Sequence, residues 1–234
     1  MTYDADEAAR FYDAYGEREW TRFIDGRTIA ISAEVHTHYL RRFVASGDRV
    51  LDVGAGPGRF TIELGRLGAS VVVADLSPGQ LALNRDKVIA AGFEDRVVER
   101  VVADITDLHQ FADGSFDAVV CYGGPLSYVL DRADDAVSEL LRVTRPGGHL
   151  LVSVMSLVGA TSGALAQVLA EVHMYGLEVV DHVIATGNLP SLLSGGHLPM
   201  HMFRWSELRA LLERHAGEVV AASAASIGPQ HDQS

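Results

Sequence analysis

Short β-branched runs alternate along this chain with longer Leu- and Ala-rich segments, and few architectures accommodate that order. Residues 49–53, 70–75, 96–104, 116–122 and 148–154 read as five strands. Residues 60–67, 79–91 and 133–143 between them read as helices, with Gly68, Gly92 and the Pro146-Gly147-Gly148 run as stops. Strands apolar along their whole length are buried on both faces, and parallel neighbours need crossovers that are almost always right-handed. The pattern therefore predicts an α/β fold: a doubly wound, mostly parallel sheet.

Outside the repeating pattern, residues 5–20 and 28–45 read as two additional N-terminal helices, and 157–175 as a helix after the fifth strand. Residues 176–203 show no clear period, 205–215 resume a helix, and 218–224 read as a strand. With 234 residues and 48% hydrophobic content the chain can bury one sizeable core. The expected organisation is one domain: an N-terminal helical lid (1–45), a cofactor-binding core (46–155), a helix and substrate-cap insertion (156–204), and a C-terminal helix and strand (205–234). The formal charge of −12, from 31 acidic against 19 basic residues with no basic run, argues against a nucleic-acid partner. A single cysteine, Cys121, excludes an intramolecular disulfide and a multi-cysteine metal site. The polar, acidic first ten residues and the lack of long apolar stretches predict a cytoplasmic protein without a membrane partner, monomeric or homodimeric.

Candidate chemistry begins at the first strand-to-helix turn, Asp52-Val53-Gly54-Ala55-Gly56-Pro57-Gly58. Glycines there allow backbone conformations and a close ligand approach that a Cβ would obstruct, at the sheet edge where such folds bind ligands. Asp75 ends the second strand about 20 residues on, where a carboxylate can accept from both hydroxyls of a ribose. A dinucleotide site spaces its glycines G-x-G-x-x-G and seats a pyrophosphate, whereas this turn reads Gly54-x-Gly56-x-Gly58 behind an acidic Asp52. That favours an adenosine ligand without phosphate, with Asp52 receiving an ammonium; the alternative for Asp52 is a carboxylate capping the turn's own amides.

Taken in order, VLDVGAGPGRF, VVVADLSPGQL, VVADITDL, FDAVVCYGGPLSYVLD and LLRVTRPGGHLLVSV resemble the class I, Rossmann-like S-adenosylmethionine-dependent methyltransferases over residues 49–154. The resemblance implies methyl transfer to an O, N or C atom of a small-molecule acceptor, with S-adenosyl-L-methionine as cofactor and S-adenosyl-L-homocysteine as product. It implies that Gly54, Ala55, Gly56 and Gly58 line the methionine and ribose portion, Asp75 the ribose hydroxyls, Leu76 and Ile105 the adenine faces, and Asp104 the adenine amino group. Gln80, Cys121 and Tyr122 complete the implied cofactor set, the last two where the transferable methyl group would lie. The alternative for Asp104 is a helix N-cap for Thr106 onward. The segment after the fourth strand lacks the Asn/Asp-Pro-Pro-aromatic tetrad of many nucleic-acid and protein N-methyltransferases, which disfavours those substrates. The rival readings are a tRNA or protein methyltransferase, an NAD(P)-dependent oxidoreductase, and a non-catalytic module that keeps the cofactor fold.

A positive sulfonium carries its own activation, and orientation can supply about 7–11 kcal/mol, so a base is needed only where the acceptor loses a proton early. Candidate catalytic groups are His173, His197 and His201, with Tyr15 and Tyr128 as orienting hydroxyls. Pro199 between His197 and His201 argues against a helical metal pair, and no metal is expected. The resemblance also implies that the N-terminal segment around Tyr12, Tyr15 and Trp20, together with residues 176–203, covers the acceptor. It further implies a terminal antiparallel hairpin, of which only 218–224 is readable.

Overall fold

The structure is a computed structural model that describes residues 1–21, 27–163, 165–191, 193 and 196–225. Its elements in chain order are α1 (Ala5–Tyr15), α2 (Arg18–Thr21), α3 (Arg27–Phe43), β1 (Arg49–Val53), α4 (Arg59–Leu67), β2 (Ser70–Asp75), α5 (Pro78–Ala91), β3 (Val97–Val102), β4 (Phe116–Cys121), α6 (Pro125–Tyr128), α7 (Ala133–Val143) and β5 (Thr144–Val152). These are followed by α8 (Leu157–Gly163), α9 (Leu165–Tyr175), α10 (Leu177–Thr186), β6 (Asn188–Leu189), β7 (Met200–His201) and α11 (Trp205–Arg214).

Strands β1 to β5 form one sheet in the order β3-β2-β1-β4-β5, and every neighbouring pair is parallel. This is the doubly wound, Rossmann-like fold that the sequence predicts. Alternation along the strands divides the core between the two faces of the sheet. Leu51, Val53, Val72, Val119 and Cys121 pack with α7 residues such as Val137 and Leu140. Val50, Val71, Val73, Ala118 and Val120 pack with Leu40, Phe60 and Leu64 of α3 and α4. Strand order reverses at β1, whose neighbours are β2 and β4, so the carboxyl ends of these three strands open into a crevice.

A third apolar cluster covers that crevice. Ala8 of α1, Tyr128 of α6, Leu157, Val183 and Met200 pack together, with Phe11, Tyr12 and Leu76 against them. The N-terminal helix and the segment after β5 thus meet over the carboxyl edge of the sheet.

Several expectations are corrected. The helix expected over 5–20 breaks at Gly16, which has φ +54° and returns its N–H to Tyr12 O, and resumes as α2. The expected 157–175 helix is described as α8 and α9, with position 164 outside the described residues. Residues 176–203 contain α10 and the antiparallel β6–β7 ribbon. The α10 sequence LEVVDHVIAT is rich in β-branched residues with weak helix propensity, but burying Val180 and Val183 one turn apart selects the helix. Strand β5 starts at Thr144 and runs through Pro146-Gly147-Gly148 with a register shift, so that run bends the strand edge instead of preceding it. Residues 218–224 belong to no strand, and Val220 is exposed; the sheet among the described residues ends at β5.

Candidate functional site

The crevice at the carboxyl edge holds about 920 Å³ of space, open mouth included. Gly54, Ala55 and Gly56 form its floor, between the ends of β1 and β2. Gly54 has φ +66°, and a Cβ there would stand 2.3 Å from Pro125 Cγ of α6, so only glycine permits this turn under that proline. Asp75 stitches the turn to β2: its Oδ2 accepts from Gly56 N at 2.8 Å and its Oδ1 from Ser77 N at 2.9 Å. Burial raises its carboxyl to about 6 against the pull of those amides.

At the far end, Asp104 accepts from Thr106 N at 2.8 Å and from the Tyr3 hydroxyl at 3.1 Å. It therefore holds a local turn, with no helix following for it to cap, while also lining the crevice. Burial and the neighbouring Asp104 charge push the Tyr3 phenol well above its usual range. Leu76, Ile105 and Tyr122 supply apolar wall, the last packed on Phe60 at a ring separation of 5.0 Å. Gln80 lines the crevice too, but its amide donates to Tyr12 O at 2.9 Å and Gly16 O at 3.2 Å, which ties α5 to the end of α1. Asp13 of α1 accepts from Gly79 N at 2.8 Å and from the Ser77 hydroxyl, anchoring the same seam.

Residues 51–152 match the family model described as a methyltransferase domain. Over this stretch the chain is similar to methyltransferase domains. A demethylmenaquinone methyltransferase of Mycobacterium sp. (strain KMS) is 39% identical over 143 residues, covering 61% of this chain and 56% of that protein. The chain thus spans little more than half the length of the curated relatives it matches. Among solved structures, the complex between the Haloferax volcanii Trm112 methyltransferase activator and a methyltransferase matches with a TM-score of 0.59 at 21% identity, over 88% of this chain and 75% of that one. The [4+2]-cyclase SpnF matches with a TM-score of 0.53 at 24% identity, over 64% of this chain and 60% of that one. At these identities the structural likenesses speak for the fold alone.

Three of the expected cofactor positions stand off the crevice. Asp52 shares its strand face with Val50, so it points toward α4, where the Thr61 hydroxyl donates to its Oδ2 at 2.6 Å. Burial raises its carboxyl to about 7, with Thr61 opposing and the Asp75 charge adding to the shift. Behind it, Asn84 Nδ2 donates to Thr61 at 2.9 Å, and Arg100 to Asn84 Oδ1 at 3.1 Å. Gly58 opens α4, and a Cβ there would stand 2.9 Å from Asn84 Nδ2, so the helix contact explains that glycine. Cys121 follows Val119 into the α7 side of the core, where burial pushes its thiol up to about 12.

Of the catalytic candidates, His173, His197, His201 and Tyr15 do not line the crevice. His173 is exposed on α9. His201 is held by Asn188 Oδ1 and Glu207 Oε1, each at 2.8 Å, and locks the β6–β7 ribbon to α11. Tyr15 and His197 face each other at 3.4 Å beside Phe11, one layer behind Tyr12. Tyr12 and Tyr128 do line it, with rings 5.9 Å apart and edge-on. Sequence reading also missed Tyr3, Glu19 and Arg59 in the wall. Arg59 stood inside the glycine-turn motif and Glu19 inside the expected lid, whereas nothing in the sequence marks Tyr3. Among the described residues no helix is long and apolar enough to cross a membrane.

Proposed function

We propose that this protein transfers the methyl group of S-adenosylmethionine to an O, N or C atom of a small, flat or apolar acceptor. The observation that carries the reading is a single crevice in which the glycine turn, Asp75 and Asp104 meet the two tyrosines Tyr12 and Tyr128. Asp75, beside the turn, suits two ribose hydroxyls, and Asp104 between Leu76 and Ile105 suits an adenine amino group with apolar ring faces. Gly54, Ala55 and Gly56 leave the backbone open to the amino-acid portion, and Tyr122 closes the wall beside it. When bound, the cofactor supplies an electrophilic methyl group on a positive sulfonium. The chain's part is to orient the acceptor and exclude water, and none of the three candidate histidine bases stands in the crevice wall.

Tyr12 and Tyr128 present ring edges and faces to an acceptor, and the cap formed by α1 and the segment after β5 selects it. The relatives' names denote methylation of demethylmenaquinone, so that compound belongs in the acceptor screen beside phenols, amines and carboxylates. The test is turnover with S-adenosylmethionine labelled in the donated methyl group. Label in a flat or apolar acceptor supports the reading, and label found only in RNA or protein substrates overturns it.

A further inference from the structure

The charged groups of the crevice fall into two sets. Asp75 and Asp104 stand at the nucleoside end proposed above; Glu19 and Arg59 flank the glycine turn. Glu19 comes from α2 and is only 8% exposed, and its Cγ lies 3.8 Å from where a Cβ on Gly56 would stand. Arg59 is the first residue of α4, directly after the turn. Its Nη2 donates to Trp20 O at 3.3 Å, and its guanidinium lies 4.8 Å from the centre of the Trp20 ring, so the side chain is held in place. Burial lowers the pKa of the Arg59 guanidinium, with the charges of Glu63 and Glu19 opposing that shift. Asp52, which the sequence offered for an ammonium, is committed to Thr61 on the other side of the turn.

We propose that Glu19 and Arg59 clamp the zwitterionic amino-acid end of the cofactor, Glu19 taking the ammonium and Arg59 the carboxylate. The proposal rests on the reading that the crevice holds S-adenosylmethionine. Opposite charges beside one glycine turn match an α-amino acid in a way that neither an aspartate alone nor a pyrophosphate site does. It also makes the N-terminal segment part of the cofactor site as well as a cover for the acceptor, because α2 supplies one jaw.

Calorimetry on the full chain with three ligands tests this. S-Adenosylhomocysteine carries both charges, decarboxylated S-adenosylmethionine only the ammonium, and 5′-methylthioadenosine neither. The wild-type protein is expected to bind S-adenosylhomocysteine at least tenfold more tightly than 5′-methylthioadenosine. Glu19→Gln is expected to weaken S-adenosylhomocysteine and the decarboxylated ligand at least tenfold. Arg59→Gln is expected to weaken S-adenosylhomocysteine at least tenfold and the decarboxylated ligand less than twofold. Both variants should keep 5′-methylthioadenosine within twofold. Equal losses on all three ligands, or wild-type affinities for S-adenosylhomocysteine and 5′-methylthioadenosine within twofold, overturn the clamp and leave the cofactor reading standing. A wild-type protein that binds none of the three removes both.

Discussion

The two walls of the crevice are built by different means. The sheet-edge wall is fixed by backbone: parallel ladders between β1, β2 and β4, a glycine turn with positive φ, and amides donated into Asp75. The cap wall is fixed by side chains: Asp13 and Gln80 join α1 to α5, His201 holds the ribbon, and aromatics and methionines fill the gap. The cap also leaves Val158, Met174, Leu177 and Trp205 exposed, whereas the sheet strands β1 and β2 are almost wholly buried. A wall made of backbone tolerates few substitutions and keeps one ligand geometry. A wall made of side chains can be rebuilt for a new acceptor without disturbing the sheet.

Substitutions on each side should behave accordingly. Gly54→Val should be the most damaging, because the Cβ would meet Pro125 at 2.3 Å on a left-handed backbone. Thermal melting should show a loss of about 3 kcal/mol or more, with S-adenosylhomocysteine binding abolished in calorimetry. A normal affinity would mean that the turn is not the floor of the site.

Asp52→Asn separates the core from the crevice through pH. Because the folded carboxyl is raised to about 7 from 3.8, the folded state holds the proton more tightly than the unfolded one. Its burial therefore costs nothing at pH 3 and progressively more stability as pH climbs from 4 through 7. Asn keeps an acceptor for Thr61 and carries no charge, so its stability relative to wild type should rise across that window by on the order of 4 kcal/mol. Denaturant melts at pH 4 and pH 8 measure it. A difference that does not change with pH would show that Asp52 is not buried as a titrating group.

Tyr12→Ala should lower kcat/KM for the acceptor about tenfold, roughly 1.4 kcal/mol, with S-adenosylhomocysteine affinity kept within twofold. Equal losses in both would erase the distinction between the two walls. The smallest effect is expected of Asp13→Ala, which removes two exposed anchors of α1 at a cost of about 1 kcal/mol. Limited proteolysis should then cut within residues 1–21 faster than in wild type, while the sheet resists.

Legibility in the sequence follows the same division. The first two strands appear where the β-branched runs place them, and Gly54, Asp75, Asp104 and Tyr122 line the crevice because each lies at or just beyond a strand's carboxyl end. Asp52 and Cys121 stand one or two residues earlier, and strand alternation turns them into opposite layers of core. The cap was harder to read. Helix α10 shows no clear period in the sequence, and burial of Val180 and Val183 overrides the weak helix propensity of its valines, while the 218–224 run has the right composition but no partner strand among the described residues. Tyr3 and Glu19 reach the crevice only because the N-terminal segment folds back over the sheet edge, Tyr3 meeting Asp104 across 101 residues of sequence, a contact that no local pattern encodes.

The central claim is that the crevice at the ends of β1, β2 and β4 holds an adenosine cofactor with an amino-acid tail. Titrating S-adenosylhomocysteine and NAD separately into the full chain tests it most directly. The account requires micromolar 1:1 binding of S-adenosylhomocysteine and no heat from NAD. Binding of NAD with none of S-adenosylhomocysteine would contradict it.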